Sequence, residues 1–528
     1  MNITKNYIMK KLPIGISKFA EIRASDKDYI YVDKTPHVAA LAENGKYYFL
    51  SRPRRFGKSL LIDTIKQAFL GNKELFTGLY LEQHWNWGNC YPVLHFDFGD
   101  GVVQSRGELE IKIHQFLDGY YRQYQVESIY LDVSGRFSYL IKQIALQYDK
   151  LVILIDEYDK PILDNINNVD VASEISDGLK NFYSVIKSHD EHLQFALLTG
   201  VSKFSKVSLF SGLNILEDLT IDAKVADICG YTQEELESAF GEHLRDGNVD
   251  KVKLKTWYNG YNFAGSDRQK VYNPFDILLF FNKKCEYRNY WFETATPTFL
   301  IKLIEERHSY VPNFENLVVS EDLLSSFEIE TIPLVTLLFQ TGYLTIKNKV
   351  MRGSRVSYML GYPNLEVKFS LNECLAEIGV DREKRSAKQE QIYTALTNNK
   401  FEDLALILST YFSSIPHAWY RKNNIAEYEG FYSSIVYSYL ASLGYQLTPE
   451  DVTNQGQIDL TLIMEDKIII LEFKLAKYGS AAEAIEQIKT RNYAAKYLAS
   501  GKPIYLLGIS FDEIIRNIAE IISEEFYH

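Results

Sequence analysis

The stretch FLSRPRRFGKSLLIDTI, Phe49 to Ile65, decides how the chain begins to fold. Its apolar start continues from Lys46-Tyr47-Tyr48 and reads as a strand. Leu60 to Ile65 carry apolar residues at helical spacing, so strand, loop and helix follow one another. Between them Gly57-Lys58-Ser59 matches the close of the pattern G-x-x-x-x-G-K-[ST]. Arg52 stands where that pattern has its first glycine, and Pro53 fixes φ at the loop's entrance. Such a loop holds phosphate because backbone N–H groups and a helix N-terminus surround the anion. Gly57 then lets the backbone approach, Lys58 supplies a point charge and Ser59 holds Mg²⁺. Arg54, Arg55 and Phe56 complete the candidate loop. The two arginines contact phosphate or a partner strand, or else form an exposed basic tip.

A second element raises the weight of the first. In KLVILIDEYDKPIL, Lys150 to Leu163, an unbroken apolar run ends at Asp156-Glu157. An acid at the end of a buried strand suits Mg²⁺ held through water, and Glu157 is placed to orient an attacking water. QFALLTGVSKF, from Gln194, supplies another buried strand, with Thr199 or Ser202 at its end as candidate contacts to a terminal phosphate. YPVLHFDF, from Tyr91, is a further strand reaching acidic Asp97. Apolar strands separated by helical stretches indicate a parallel sheet covered on both faces. The expected ligand is a nucleoside triphosphate with Mg²⁺.

With 528 residues, about three domains are expected. A net charge of −12 argues against coating nucleic acid through overall charge, yet leaves room for a local basic groove. Cys90, Cys229, Cys285 and Cys374 are scattered, which fits a reducing compartment and gives no zinc framework. The start MNITKNYIMKKLPIGI lacks a long apolar core, and no apolar run reaches bilayer-spanning length. A cytoplasmic protein without membrane contact is expected.

Character changes after about residue 222. YTQEELESAFGEHL, from Tyr231, reads as a helix capped by Thr232. LVTLLFQTGYLTIKNKV followed by SYMLGYPNLEVKFSL, Leu334 to Leu371, reads as a helix and then a hairpin, suggestive of a winged-helix-like part. The charged, then helical run from Arg382 bridges to the last region. The expected fold is therefore α/β multidomain. It has a P-loop sheet over 1–222, a helical and winged-helix-like connector over 223–385, and an α/β C-terminal domain over 386–528.

GQIDLTLIMEDKIIILEFKLAKYG, Gly456 to Gly479, carries the second chemistry. With Glu465-Asp466 as a two-residue turn, Met464 faces Lys467 and Asp459 falls opposite Glu472. Lys474 shares their face because strand side chains alternate. Ile458, Leu460 and Leu462 share the other face with Ile469, Leu471 and Phe473. Paired carboxylates repel unless a cation sits between them, and an oxygen-rich pair suits Mg²⁺ or Mn²⁺. Lys474 would position water or stabilise developing charge. A salt-bridged edge hairpin is the plainer alternative, and a one-residue slip would reverse the faces. Glu429 opens an amphipathic helix from which it could complete a metal shell. Glu483, Gln487 and Arg491 recur every four residues on another helix, with Gln487 within reach of substrate or Lys474.

At these residues the chain resembles a bacterial family that joins an AAA-ATPase-like N-terminal domain to a PD-(D/E)XK nuclease-superfamily domain. The resemblance spans nearly the whole chain. It is carried by LPIGISKFAEIRASDKDYIYVDKT, SRPRRFGKS, LIDEYDKPI, LTGVSKFSK, WYNGYNF, VYNPFDIL, QTGYLTI, YPNLEV, GQIDL and LEFK. The family carries the arginine-rich loop, so Arg52 departs from the general P-loop pattern and not from its relatives. The resemblance implies ATP binding and metal-dependent phosphodiester cleavage, with DNA the expected partner. It makes Asp459 and Glu472 metal ligands, Lys474 the catalytic lysine, Glu429 the helix acid and Gln487 the polar helix position. Nucleotide-gated cleavage in defence or mobile-element control is the leading expectation, and a homo-oligomer would suit it. The alternative is a nucleotide-switched ATPase that binds nucleic acid without cutting. YIYVDKT, around Asp33 and Lys34, either packs beside the adenine or pairs with the sheet.

Overall fold

The computed structural model describes residues 9–204, 215–265, 270–291, 314–325, 333–353, 355–376, 382–414 and 429–526. The chain groups into two compact units, Met1–Ala295 with Val318–Asn364, and Thr296–Leu317 with Leu365–His528.

In the first unit, β1 (Tyr47–Ser51), β2 (Val93–Asp97), β3 (Leu151–Asp156), β4 (Leu193–Gly200) and β5 (Glu217–Asp218) form one sheet. Its order is β2-β3-β4-β1-β5, and every pairing is parallel. All six residues of β3 are buried, the reason its sequence is continuously apolar and not alternating. Helices separate the strands: α1 (Lys58–Phe69) follows β1, and Arg106–Gln123 and Val133–Tyr148 fill the gap between β2 and β3. Ser51 pairs beside Gly200, and Asp97 beside Asp156. The loop after β1, the acids of β3 and the end of β4 therefore meet at the carboxyl edge, where open parallel sheets place ligands.

Thr232 caps its helix with a reciprocal capping box to Glu235. Leu334–Gln340 is helical and leads into an antiparallel hairpin, β6 (Thr345–Arg352) with β7 (Arg355–Gly361), the helix-then-hairpin order read from sequence. The YIYVDKT stretch around Asp33 acts as a tie. Asp33 accepts from Thr35 N and Tyr80 N at 2.9 and 2.8 Å, and Lys34 donates to Glu235 at 2.6 Å and to the Asp227 carbonyl at 2.7 Å.

The second unit holds β8 (Gln446–Val452), β9 (Gln457–Ile463), β10 (Ile468–Leu475), β11 (Ile504–Asp512) and β12 (Asn517–Phe526), hydrogen-bonded in that order. Met464 N donates to Lys467 O across the Glu465-Asp466 turn, and Leu460 pairs with Leu471, the register expected from counting. Both faces of the sheet are covered. Phe511 stacks on Tyr432 of α2 (Glu429–Ser442) at 4.7 Å, and Phe473 packs against Phe511 at 5.9 Å. On the opposite face, Ile468 and Ile470 pack with Ile485 and Ile488 of α3 (Ala481–Thr490). Gly508 in β11 permits this close approach, because a Cβ there would lie 2.1 Å from the Ala481 carbonyl oxygen.

Candidate functional site

Gly57 has φ of 89°, the left-handed region open to glycine, and α1 starts at the next residue. Along the loop Arg54, Arg55 and Gly57 are exposed while Arg52, Phe56 and Lys58 are buried. Phe56 packs edge-on against Tyr261 at 4.7 Å and Phe263 at 5.7 Å, so it anchors the loop. Arg52 is 1% exposed, donates to the carbonyls of Ser51, Thr220 and Val225, and lies 4.1 Å from the Phe263 ring centre. Burial pushes its guanidinium down to about 10. The arginine in the glycine's place turns inward and fastens the loop. Lys58 donates to the carbonyls of Arg52 and Pro53 at 2.9 and 3.0 Å, which closes the loop on itself. Burial lowers its pKa, opposed by Asp156, Glu157 and Asp159.

A cleft of about 600 Å³ opens here, lined by Arg54, Arg55, Gly57, Lys58, Ser59 and Glu157 among others. That volume suits a small-molecule ligand. Arg55 rests its guanidinium 4.5 Å from the ring of Phe275, another lining residue. Burial raises the pKa of Glu157, and Lys58 opposes the rise. Asp156 and Thr199 stand one step behind the cleft wall. Thr199 is fully buried and donates to Asp156 Oδ1 at 2.6 Å, so it orients that carboxylate and touches no open space. Ser202, likewise buried, donates to Asp159 at 2.6 Å.

In the second unit the β9–β10 ladder ends at Leu460–Leu471. Beyond it β9 pairs only with β8 and β10 only with β11, so the two strands part into a fork. Asp459 and Glu472 occupy the first positions of that fork. Asp459 Oδ2 accepts the Phe473 N–H at 2.8 Å, a donor the ladder no longer uses. Glu472 is 1% exposed; Gln487 and Lys474 both reach its Oε1, Lys474 at 3.5 Å. Its Oε2 is buried with no hydrogen-bond partner among the described residues. Burial and then the Asp459 charge push Glu472 up to about 8, against the pull of Lys474. Asp459 is raised by burial, with the Phe473 N–H and Lys474 opposing. Glu429, at the start of α2, is raised by burial and then by Asp459, and it lines a cleft with Asp459, Gln457 and Glu450.

Two carboxylates with an orphan oxygen fit a divalent cation of the Mg²⁺ type, which takes one or two protein carboxylates and completes its shell with water and phosphate oxygens. Among the described residues no three His, Cys, Asp or Glu side chains are grouped to hold a metal ion. Glu429, expected as a third ligand, shares the cleft without completing such a set.

Two family models match the chain: a predicted AAA-ATPase over residues 13–210 and the PD-(D/E)XK nuclease superfamily over 427–521. A protein of Azotobacter chroococcum mcd 1, named for its place in the vnfD 5′ region and described as uncharacterized, is 46% identical over 98% of this chain and 99% of its own length. The chain belongs to the AAA-ATPase-like family with a C-terminal PD-(D/E)XK domain. The Aeropyrum pernix ORC1 protein, solved in complex with DNA, matches at 12% identity over 67% of this chain and 96% of its own, with a TM-score of 0.27. A likeness that low adds nothing to the assignment.

Counting in this AAA-ATPase-like chain found the fork residues but missed Glu450. The β8–β9 register sets Pro449 against Leu460 and Asp451 against Ile458, which leaves Glu450 across from Asp459. Its charge raises the Asp459 pKa. The Glu483-Gln487-Arg491 stripe divides its work: Glu483 closes a capping box with Ser480, Gln487 holds Glu472, and Arg491 donates to the Gln455 carbonyl. No helix among the described residues is long and apolar enough to cross a membrane.

Proposed function

We propose that this protein is an ATP-binding, metal-dependent nuclease in which nucleotide state sets the rate of nucleic-acid cleavage. The observation that carries the proposal is the convergence of Asp459, Glu472, Lys474 and Gln487 at one strand fork. Asp459 and Glu472 would hold Mg²⁺ or Mn²⁺. When bound, the cation supplies Lewis acidity toward a phosphoryl oxygen. Gln487 fixes the Glu472 carboxylate, and Lys474 brings positive charge to the phosphorus centre as negative charge develops there. In the first unit, the Arg54–Ser59 loop would take the phosphates, Ser59 and Asp156 their Mg²⁺, and Glu157 the attacking water. DNA is the favoured substrate, in a cytoplasmic setting, with 1–222, 223–385 and 386–528 as the working parts.

A second reading keeps nucleotide binding and removes cleavage, and the missing three-ligand set among the described residues favours it. Incubation of the full chain with DNA, ATP, and Mg²⁺ or Mn²⁺ separates the two. Lys474→Ala is expected to slow cutting by roughly 100-fold or more, the scale of losing one transition-state donor. Unchanged cutting in Lys474→Ala would remove the assigned site. No metal binding in a calorimetric titration would leave the non-cutting reading.

A further inference from the structure

The turn that follows Lys474 carries a feature the proposed cleavage does not use. Lys477-Tyr478-Gly479 joins β10 to α3, and Tyr478 is 77% exposed. Its ring offers an apolar, solvent-facing surface with a polar tip. The turn is firmly held. Tyr478 N and Gly479 N both donate to the Leu475 carbonyl, at 2.8 and 3.0 Å, and Ser480 begins α3 with a complete capping box. Gly479 packs on the stem of Lys474, where a Cβ would sit 3.4 Å from Lys474 Cδ. Tyr478 is therefore the chain neighbour of a residue that touches the side chain assigned to the reaction centre. The Lys477 ammonium lies 4.9 Å from the Tyr478 ring centre.

We propose that Tyr478 is a stacking platform for an unpaired base, so the substrate of the C-terminal site is single-stranded or locally opened nucleic acid. This rests on the nuclease reading above. A rigid, exposed ring receives any base through its π-face, and each such stack typically changes affinity by roughly 5- to 150-fold. In a duplex the base faces are taken by their neighbours, and a protein finds only edges and backbone. Lys477 supplies a cation to the phosphate beside the stacked base. Tyr478 is thus a substrate-positioning residue, and Lys474 keeps its role in the chemistry.

The test is fluorescence anisotropy on the full chain with Ca²⁺ in place of Mg²⁺. The probes are a labelled single strand of mixed sequence and the same strand annealed to its complement. Wild type is expected to prefer the single strand. Tyr478→Ala should weaken single-strand binding by roughly tenfold or more, with duplex binding unchanged and Tyr478→Phe close to wild type. Equal single-strand binding by wild type and Tyr478→Ala overturns the stacking role while leaving the nuclease reading intact. Wild-type protein that binds neither probe overturns the nucleic-acid reading itself. Tyr478 is exposed, so its replacement leaves folding undisturbed, and a melting curve checks this.

Discussion

Glu472 is buried on a sheet beside Asp459, and its Oε2 has no hydrogen-bond partner among the described residues. Folding alone would place an apolar side chain there, since a buried carboxylate with an unsatisfied oxygen is costly. The sign of its effect on stability follows from its raised pKa of about 8 against an ordinary glutamate near 4.3 when unfolded. Between those values the folded state binds more protons than the unfolded one, so stability falls as pH rises through the window. Without metal, Glu472→Gln should flatten that decline, read as melting temperature against pH, and should also abolish cutting. A wild-type profile as flat as the variant's would show that Glu472 is already ionised. Mg²⁺ should raise the wild-type melting temperature more at alkaline than at acidic pH, because binding requires the carboxylate. Chelation should reverse that gain.

At the scale of elements, two packing details fix the two sites. Arg52 holds the phosphate loop from beneath through three carbonyls and the Phe263 face. Arg52→Ala strands those acceptors and should destabilise the first unit by about 3 kcal/mol, with weaker ATP binding in a calorimetric titration. Gly508 plays the matching part under α3. Gly508→Ala sets a methyl against the Ala481 carbonyl and should cost about 1–3 kcal/mol. Moving α3 also lifts Gln487 from Glu472, so cutting should drop while ATP binding holds. What the sequence revealed follows the same division. The β9–β10 register was legible as far as Leu460–Leu471, because a two-residue turn and a period of two fix those facing pairs locally. Beyond the ladder Ile458 packs with Ile468, Ile470 and Ile485, not on the Phe473 face that counting expected. The inward turn of Arg52 was not, because its acceptors Thr220 and Val225 lie 168 and 173 residues later. Glu450 was hidden for a related reason: it sits on a neighbouring strand at a φ of 47°, and Pro449 marks a break there without showing which residue it faces.

At the scale of the whole molecule, one chain carries the glycine-turned loop after β1 and the carboxylate fork of the second unit, and the match to the Azotobacter protein runs through both. Coupling between two sites is a difference in free energy, so it has to be measured as the effect of one ligand on the other site's behaviour. Lys58 is the residue with which to measure it. Among the described residues its ammonium donates to the carbonyls of Arg52 and Pro53 in its own loop, and it belongs to the first unit while the fork belongs to the second. Lys58→Ala should weaken ATP binding by at least about tenfold, through loss of a charge-assisted contact to phosphate. If nucleotide gates cleavage, the variant should cut DNA at the wild-type nucleotide-free rate and fail to change that rate when ATP is added. A variant that still responds to ATP would place the nucleotide elsewhere. A wild type whose cutting ignores ATP, while ATP binding is intact by calorimetry, would leave two independent activities in one chain and remove the gate.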